Sequence, residues 1–124
     1  MEQDPQKKKV SDPSYRVLWS SSARQDLSQI PRNIVENILR KTEQRLLQWP
    51  HFFGEPLKGT MKKLWKLRFG KYRLVYSIND ECHEVYILAI TNRDSVYRNN
   101  AVQGLLKLAV ALHAASDGSK RPQS

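Results

Sequence analysis

The chain has 124 residues and carries 21 Lys or Arg against 12 Asp or Glu, a formal charge of +9. That length allows one domain of modest core, and that charge favours nucleic acid, the ribosome or an acidic protein as partner over a neutral metabolite. The single cysteine, Cys82, excludes an internal disulfide framework and suits a reducing compartment.

No apolar run reaches the roughly 18 residues of a membrane span, and the first residues lack the apolar core of a signal peptide. The expectation is a cytoplasmic protein with no membrane partner. Residues 1–13 are polar, with Lys7, Lys8 and Lys9 and two prolines, and read as a disordered tail. Residues 15–20 read as a first strand. Ser22 and Gln25 have the spacing of a capping box, and Ala23, Leu27 and Ile30 fall at i, i+4 and i+7, so a short amphipathic helix follows. Pro31 closes it and opens a second helix over about 32–48. Ile34, Val35, Ile38, Leu39, Thr42, Leu46 and Leu47 form the buried stripe of that helix. Arg32, Glu36, Arg40, Lys41, Glu43, Gln44 and Arg45 form its wet face. Trp49-Pro50 ends it, since the residue before a proline is driven out of the helical region. Residues 51–60 read as a loop.

Residues 64–76 alternate with period two around Gly70, the pattern of a hairpin. Leu64, Lys66 and Arg68 share one face of the first arm, and Trp65, Leu67 and Phe69 the other. On the second arm Tyr72, Leu74 and Tyr76 alternate with Arg73, Val75 and Ser77. From Lys58 to Arg73 stand seven Lys or Arg (Lys58, Lys62, Lys63, Lys66, Arg68, Lys71 and Arg73) and no acid. Such a cluster repels itself, so an anionic partner is its natural explanation. Residues 83–91 are apolar on both faces, with Val85, Ile87 and Ala89 on one and Tyr86, Leu88 and Ile90 on the other. This last strand is therefore expected to be central and covered twice.

Residues 100–116 read as a final helix with a wide apolar stripe and one charged side chain, Lys107. Bare in water it would be costly, so it is expected to dock on the body, over the sheet, or to form a homodimer. Residues 117–124 read as a second tail. The whole is an α+β domain: an antiparallel sheet of about four strands with an N-terminal helical hairpin packed on one face. His51, His83 and His113 have no ligand spacing, so neither a metal nor a cofactor is expected. Trp19, Trp49 and Trp65 are assigned to core or hairpin packing.

Over residues 15–98 the chain resembles the RelE/ParE superfamily of toxins from type II toxin–antitoxin pairs. The resemblance rests on Ala23 with Asp26-Leu27, on Pro50, and on Pro56-Leu57-Lys58-Gly59. It continues through Leu-Arg-Phe-Gly-Lys-Tyr-Arg-Leu-Val-Tyr over 67–76 and Asn92-Arg93-Asp94-Ser95-Val96-Tyr97. It implies a RelE-like domain over 14–99 and a cognate antitoxin as partner. It also implies an endoribonuclease that enters the ribosomal A site and cuts mRNA there, stopping translation.

The catalytic residues it implies are Lys66, Arg68, Arg73, Arg93 and Tyr97, with Lys58, Lys62, Lys63 and Lys71 binding RNA around them. The family's second Lys on the first arm falls here on Leu64. RNA cleavage without metal needs a base for the 2′-hydroxyl, charge for the phosphorane-like transition state and an acid for the leaving oxygen. Lys66 is the only plausible base in the patch, and Arg68 and Arg73 each offer a fork to phosphate oxygens. Tyr97 either stacks on a base or packs against the sheet. Two other functions fit the same fold: a ParE-like inhibitor of DNA gyrase without nuclease activity, and a decayed toxin kept for RNA binding.

Overall fold

In the computed structural model, residues 14–92 and 99–120 are described, with side chains of the last helix over 101–116. The tail expected over 1–13 lies outside them. The elements in order are β1 (Arg16–Trp19), α1 (Ser21–Leu27), α2 (Arg32–Leu46), α3 (Pro50–Phe53), β2 (Glu55–Pro56), β3 (Trp65–Phe69), β4 (Tyr72–Asn79), β5 (Glu84–Thr91) and α4 (Asn99–Lys120).

They form one α+β unit around a five-stranded sheet in the order β1-β5-β4-β3-β2. The fold class matches the expectation, with two differences in the sheet. β1 lies parallel to β5, with Val17 opposite Val85, because the α1–α2 crossover returns the chain before the meander begins. A two-residue edge strand, β2, pairs Glu55 with Lys66 and Pro56 with Trp65. Pro56 is tolerated there because an edge position needs no further ladder bond.

One face of the sheet carries Leu67, Phe69, Leu74, Tyr76, Val85 and Ile87, and Ala23, Ile38 and Leu46 of α1 and α2 bury it. The other face carries Val75, Tyr86 and Leu88, closed by Leu57, Leu64 and Ala109, with Val102, Leu105, Leu106 and Leu112 of α4 packed around them. Apolar area removed from water contributes about 25 cal/mol per Å², and the buried Ala109 with the partly buried Val102, Leu105, Leu106 and Leu112 holds α4 on the sheet. The helix runs to Lys120, past residue 116 and into the stretch over 117–124 that was expected to be a tail.

The strict alternation expected along β5 is broken once. Val75 pairs with Ala89 but Tyr76 with Ile87, so Leu88 is an extra residue in a β-bulge. The bulge turns Ile90 onto the α1–α2 side with Val85 and Ile87. β1 stops opposite Ile87, and α1 serves the backbone beyond it. Asp26 Oδ2 accepts from Ile90 N at 2.9 Å, and Ser22 Oγ donates to Leu88 O at 3.1 Å. Ser22 therefore does not cap α1. Ser20 does, its Oγ accepting from Ala23 N at 3.1 Å.

A cationic sheet end as candidate functional site

The turn between β3 and β4 has two residues, Gly70 and Lys71, with Gly70 at φ +57°. A left-handed first position gives the mirror-image type of turn that matches the twist of the strands. It fixes the register of the whole hairpin: Lys66 opposite Val75, Arg68 opposite Arg73, Phe69 opposite Tyr72. Lys66, Arg68 and Arg73 therefore share one face, the face that α4 covers further along.

Like charges directly opposite each other destabilise a sheet, so the Arg68–Arg73 pair is a local cost that the sheet carries. Arg68 is exposed, while Lys66 and Arg73 are half-buried. Arg73 Nη1 donates to Lys71 O at 2.8 Å, which holds its guanidinium against the turn. On its other side Arg73 pairs with Thr91, the last residue of β5. Arg93 and Tyr97 lie outside the described residues.

The acid-free run of sequence does not stay acid-free in three dimensions. The β2–β3 pairing brings Glu55 Oε1 to 3.9 Å from Lys66 Nζ. The cations expected to bind RNA also divide into groups. Lys71 lines a cleft of about 450 Å³ between α2 and the hairpin tip, together with Arg68, Lys41 and Arg45. The last two were read only as wet helix surface. Their i, i+4 spacing on α2 was the signal that they act as one patch.

Lys62 and Lys63 instead border a cavity of about 280 Å³ beside α4, with Ser77 and His113. Ser77 is four residues along β4 from Arg73, about 13 Å away at strand rise. These two lysines belong to a strained loop in which Met61 (φ 53°) and Lys62 (φ 63°) are both left-handed. Hydrogen bonds hold that loop: Thr60 Oγ1 donates to Leu57 O at 2.7 Å, and Trp65 Nε1 donates to Lys62 O at 3.0 Å. Lys58 is exposed on the same loop.

Leu64, where the family pattern has a lysine, is fully buried under α4. This position is part of the apolar core rather than a lost member of the site.

The covered end of the same face closes on Glu84, 2 % exposed. Its Oε1 accepts from Tyr86 OH at 2.7 Å and from Ser116 Oγ of α4 at 2.6 Å, and its Oε2 accepts from Arg16. Burial alone would raise the Glu84 pKa. The hydrogen bonds from Ser116, Tyr86 and Arg16, with the Arg16 charge, more than offset this and hold it below the ordinary carboxylate value. Among the described residues no group of three His, Cys, Asp or Glu is placed to hold a metal ion, and no helix is long and apolar enough to cross a membrane.

The family model described as the ParE toxin of the type II toxin–antitoxin system parDE matches residues 17–97. The chain belongs to the RelE/ParE family of type II toxin–antitoxin toxins.

Toxin RelE of Mycobacterium tuberculosis is 36 % identical over 89 residues, 72 % of this chain and 92 % of that toxin. Toxin RelG of the same organism is 33 % identical over 84 residues, 68 % of this chain and 97 % of that toxin. Among solved structures, the M. tuberculosis toxin–antitoxin complex RelBE2 superposes with a TM-score of 0.60 at 32 % identity, over 64 % of this chain and 92 % of that one. A mutant of E. coli RelE in the free state gives a TM-score of 0.62 over 76 % of this chain and 96 % of that one. At 20 % identity that second likeness speaks for the fold alone. The toxin is thus of the RelE type within the family.

Proposed function

We propose that this toxin is a metal-independent endoribonuclease that cuts mRNA on the translating ribosome, and hence a cytoplasmic inhibitor of translation. The observation that carries the reading is the Arg68–Arg73 pair, directly opposed across β3 and β4 with Lys66 on the same face. Two guanidinium groups set against each other at a cost to the sheet make sense as a cradle for phosphate.

In the reaction, a ribose 2′-hydroxyl gives its proton to the base and attacks the neighbouring phosphorus. The bond to the 5′ oxygen breaks to leave a 2′,3′-cyclic phosphate, and the departing 5′ oxygen takes a proton from water. Arg68 and Arg73 stabilise the charge that builds on the phosphorane oxygens. Of the three cations only Lys66 is able to act as a base, since a guanidinium keeps its proton. Arg93 adds charge at the leaving oxygen and Tyr97 stacks on a base. The cations of the α2 cleft and the 58–63 loop bind RNA less specifically, so affinity falls steeply with added salt.

The partner in the resting cell is an antitoxin, as in the relatives solved as toxin–antitoxin complexes. A chain of charge +9 calls for an acidic segment in it.

The test is to induce the wild type and an Arg73→Ala/Arg93→Ala variant in a bacterial host and to map mRNA 5′ ends. Growth arrest with in-frame cuts in translated mRNA, silent in the variant, supports the reading. Loss of Arg73 alone should lower cleavage by about 10²–10³-fold, the usual effect of one transition-state donor. A second reading, inhibition of DNA gyrase, is favoured by the ParE description of the matching family model. Arrest with intact mRNA and damaged DNA would establish it in place of the first.

A further inference from the structure

The turn α3 lifts three aromatic rings into solvent: Trp49 is 55 % exposed, Phe52 75 % and Phe53 43 %. They line a cleft of about 250 Å³, with the Phe52 and Phe53 rings edge to face at 5.0 Å. Sequence reading had assigned Trp49 to packing, and the structure places it outside.

This exposure does not belong to a loose loop. Pro50 is buried at the first helical position, and its carbonyl accepts from the buried Tyr76 OH at 2.6 Å. Gly54, which follows the turn, lies so close to Tyr76 that a Cβ there would stand 1.9 Å from the same hydroxyl. His51 meets Trp65 edge-on at 5.5 Å. The backbone that carries the rings is therefore anchored before anything binds, which lowers the entropy cost of binding on them.

Charge flanks the rings on both sides. The Arg45 guanidinium lies 5.9 Å from the Phe53 ring centroid. On the other side Phe53 shares a cleft with Glu55, Lys66 and Arg68, so the platform runs directly into the cationic sheet end. Rings set among cations match a chain that alternates bases and phosphates, the pattern by which single strands are held without sequence readout. Phe52 keeps most of its ring in solvent, which leaves a face open to a flat base.

We propose that Trp49, Phe52 and Phe53 form a stacking subsite for bases of single-stranded RNA that flank the phosphate held by Lys66, Arg68 and Arg73. The inference deepens the proposed nuclease function and rests on it.

The test compares the full-length chain with a Trp49→Ala/Phe52→Ala variant. Both positions are exposed, and thermal melting checks that the fold is kept. The probe is a 2′-O-methylated, non-cleavable RNA decanucleotide, used intact and with two adjacent bases removed, at low salt. The wild type should bind the intact strand about tenfold or more tightly than the abasic one, the worth of stacked bases. The variant should bind the two alike, and Phe52→Tyr should keep the preference.

Equal binding of both strands by the wild type, or no binding of either, overturns the inference. So does an undiminished preference in the variant. If the variant loses the antitoxin while its RNA preference is unchanged, the rings serve a protein partner and the inference also falls. The nuclease reading is judged separately by mRNA cleavage in cells: cutting without base preference sinks the subsite alone, and no cutting by the wild type sinks the nuclease.

Discussion

Leu64 and Lys66 flank Trp65 and share one face of the sheet, yet their surroundings are opposite. Leu64 is sealed beneath α4 with Val75, Leu88 and Ala109. Lys66, one step nearer the turn, is half-exposed beside Glu55 and belongs to the group with Arg68 and Arg73. One sheet face thus has a dry end that holds a helix and a charged end that carries Lys66, Arg68 and Arg73. The boundary falls within a single strand pair. The position where the family pattern has a lysine lies on the dry side of that boundary as Leu64 and is core, so motif alignment alone misreads it.

The strongest way to break this contrast is to carry charge across the boundary. Leu64→Lys, which restores the family pattern, should cost about 3–5 kcal/mol because it places an unpaired charge in the dry end. A fall in the urea midpoint reads this directly, and an unchanged midpoint would show that α4 does not seal the position.

Next in size is the support of the aromatic turn beside the charged end. Gly54→Ala drives a methyl into Tyr76 and Lys66 O and should cost about 1–3 kcal/mol, as overpacking does. It should also weaken RNA binding, since α3 carries the rings.

The dry end has its own pH dependence. Glu84 is depressed below its ordinary value of 4.5. Its contribution is therefore complete above that pH and is lost as pH falls through the lower native value. Urea midpoints from pH 7 to pH 3 should drop more steeply for the wild type than for Glu84→Gln, and parallel curves would refute the coupling. The smallest effect sharpens the contrast from the charged side. Arg68→Gln removes a like charge opposite Arg73 and should stabilise the fold by about 0.2–1 kcal/mol while lowering mRNA cleavage. A fold destabilised by this change would mean that the pair is not repulsive.

Much of this was legible beforehand because it depends on neighbours in sequence. The hairpin, its turn at Gly70 and the shared face of Lys66 and Arg68 follow from period-two alternation, which the pleat imposes on any strand, while the register of the pair adds Arg73 to that face. The stripe of Ile38, Thr42 and Leu46 on α2 likewise follows from helical period, and those three are the buried residues of that helix. The double covering of β5 was evident from its apolar run.

What was not legible depends on distant groups. Pattern extends each strand at a fixed period, so it placed Ile90 on the wrong face. The bulge arises where β1 stops and Asp26 and Ser22 of α1 satisfy the backbone instead. The same limit hid the parallel pairing of β1 and the meeting of Arg45 and Lys41 with Lys71. It also hid the turn that turns Trp49 outward and the short edge strand that sets Glu55 beside Lys66.

The sequence by itself determined the class of the fold, the family and which cations ride on one strand face, because charge, periodicity and turn chemistry act over a few residues. The tertiary structure alone decided which end of that face is covered, that Leu64 is core, and that three rings stand exposed beside the site. Those outcomes depend on where α3 and α4 come to rest, and that is settled by packing between residues far apart in the chain.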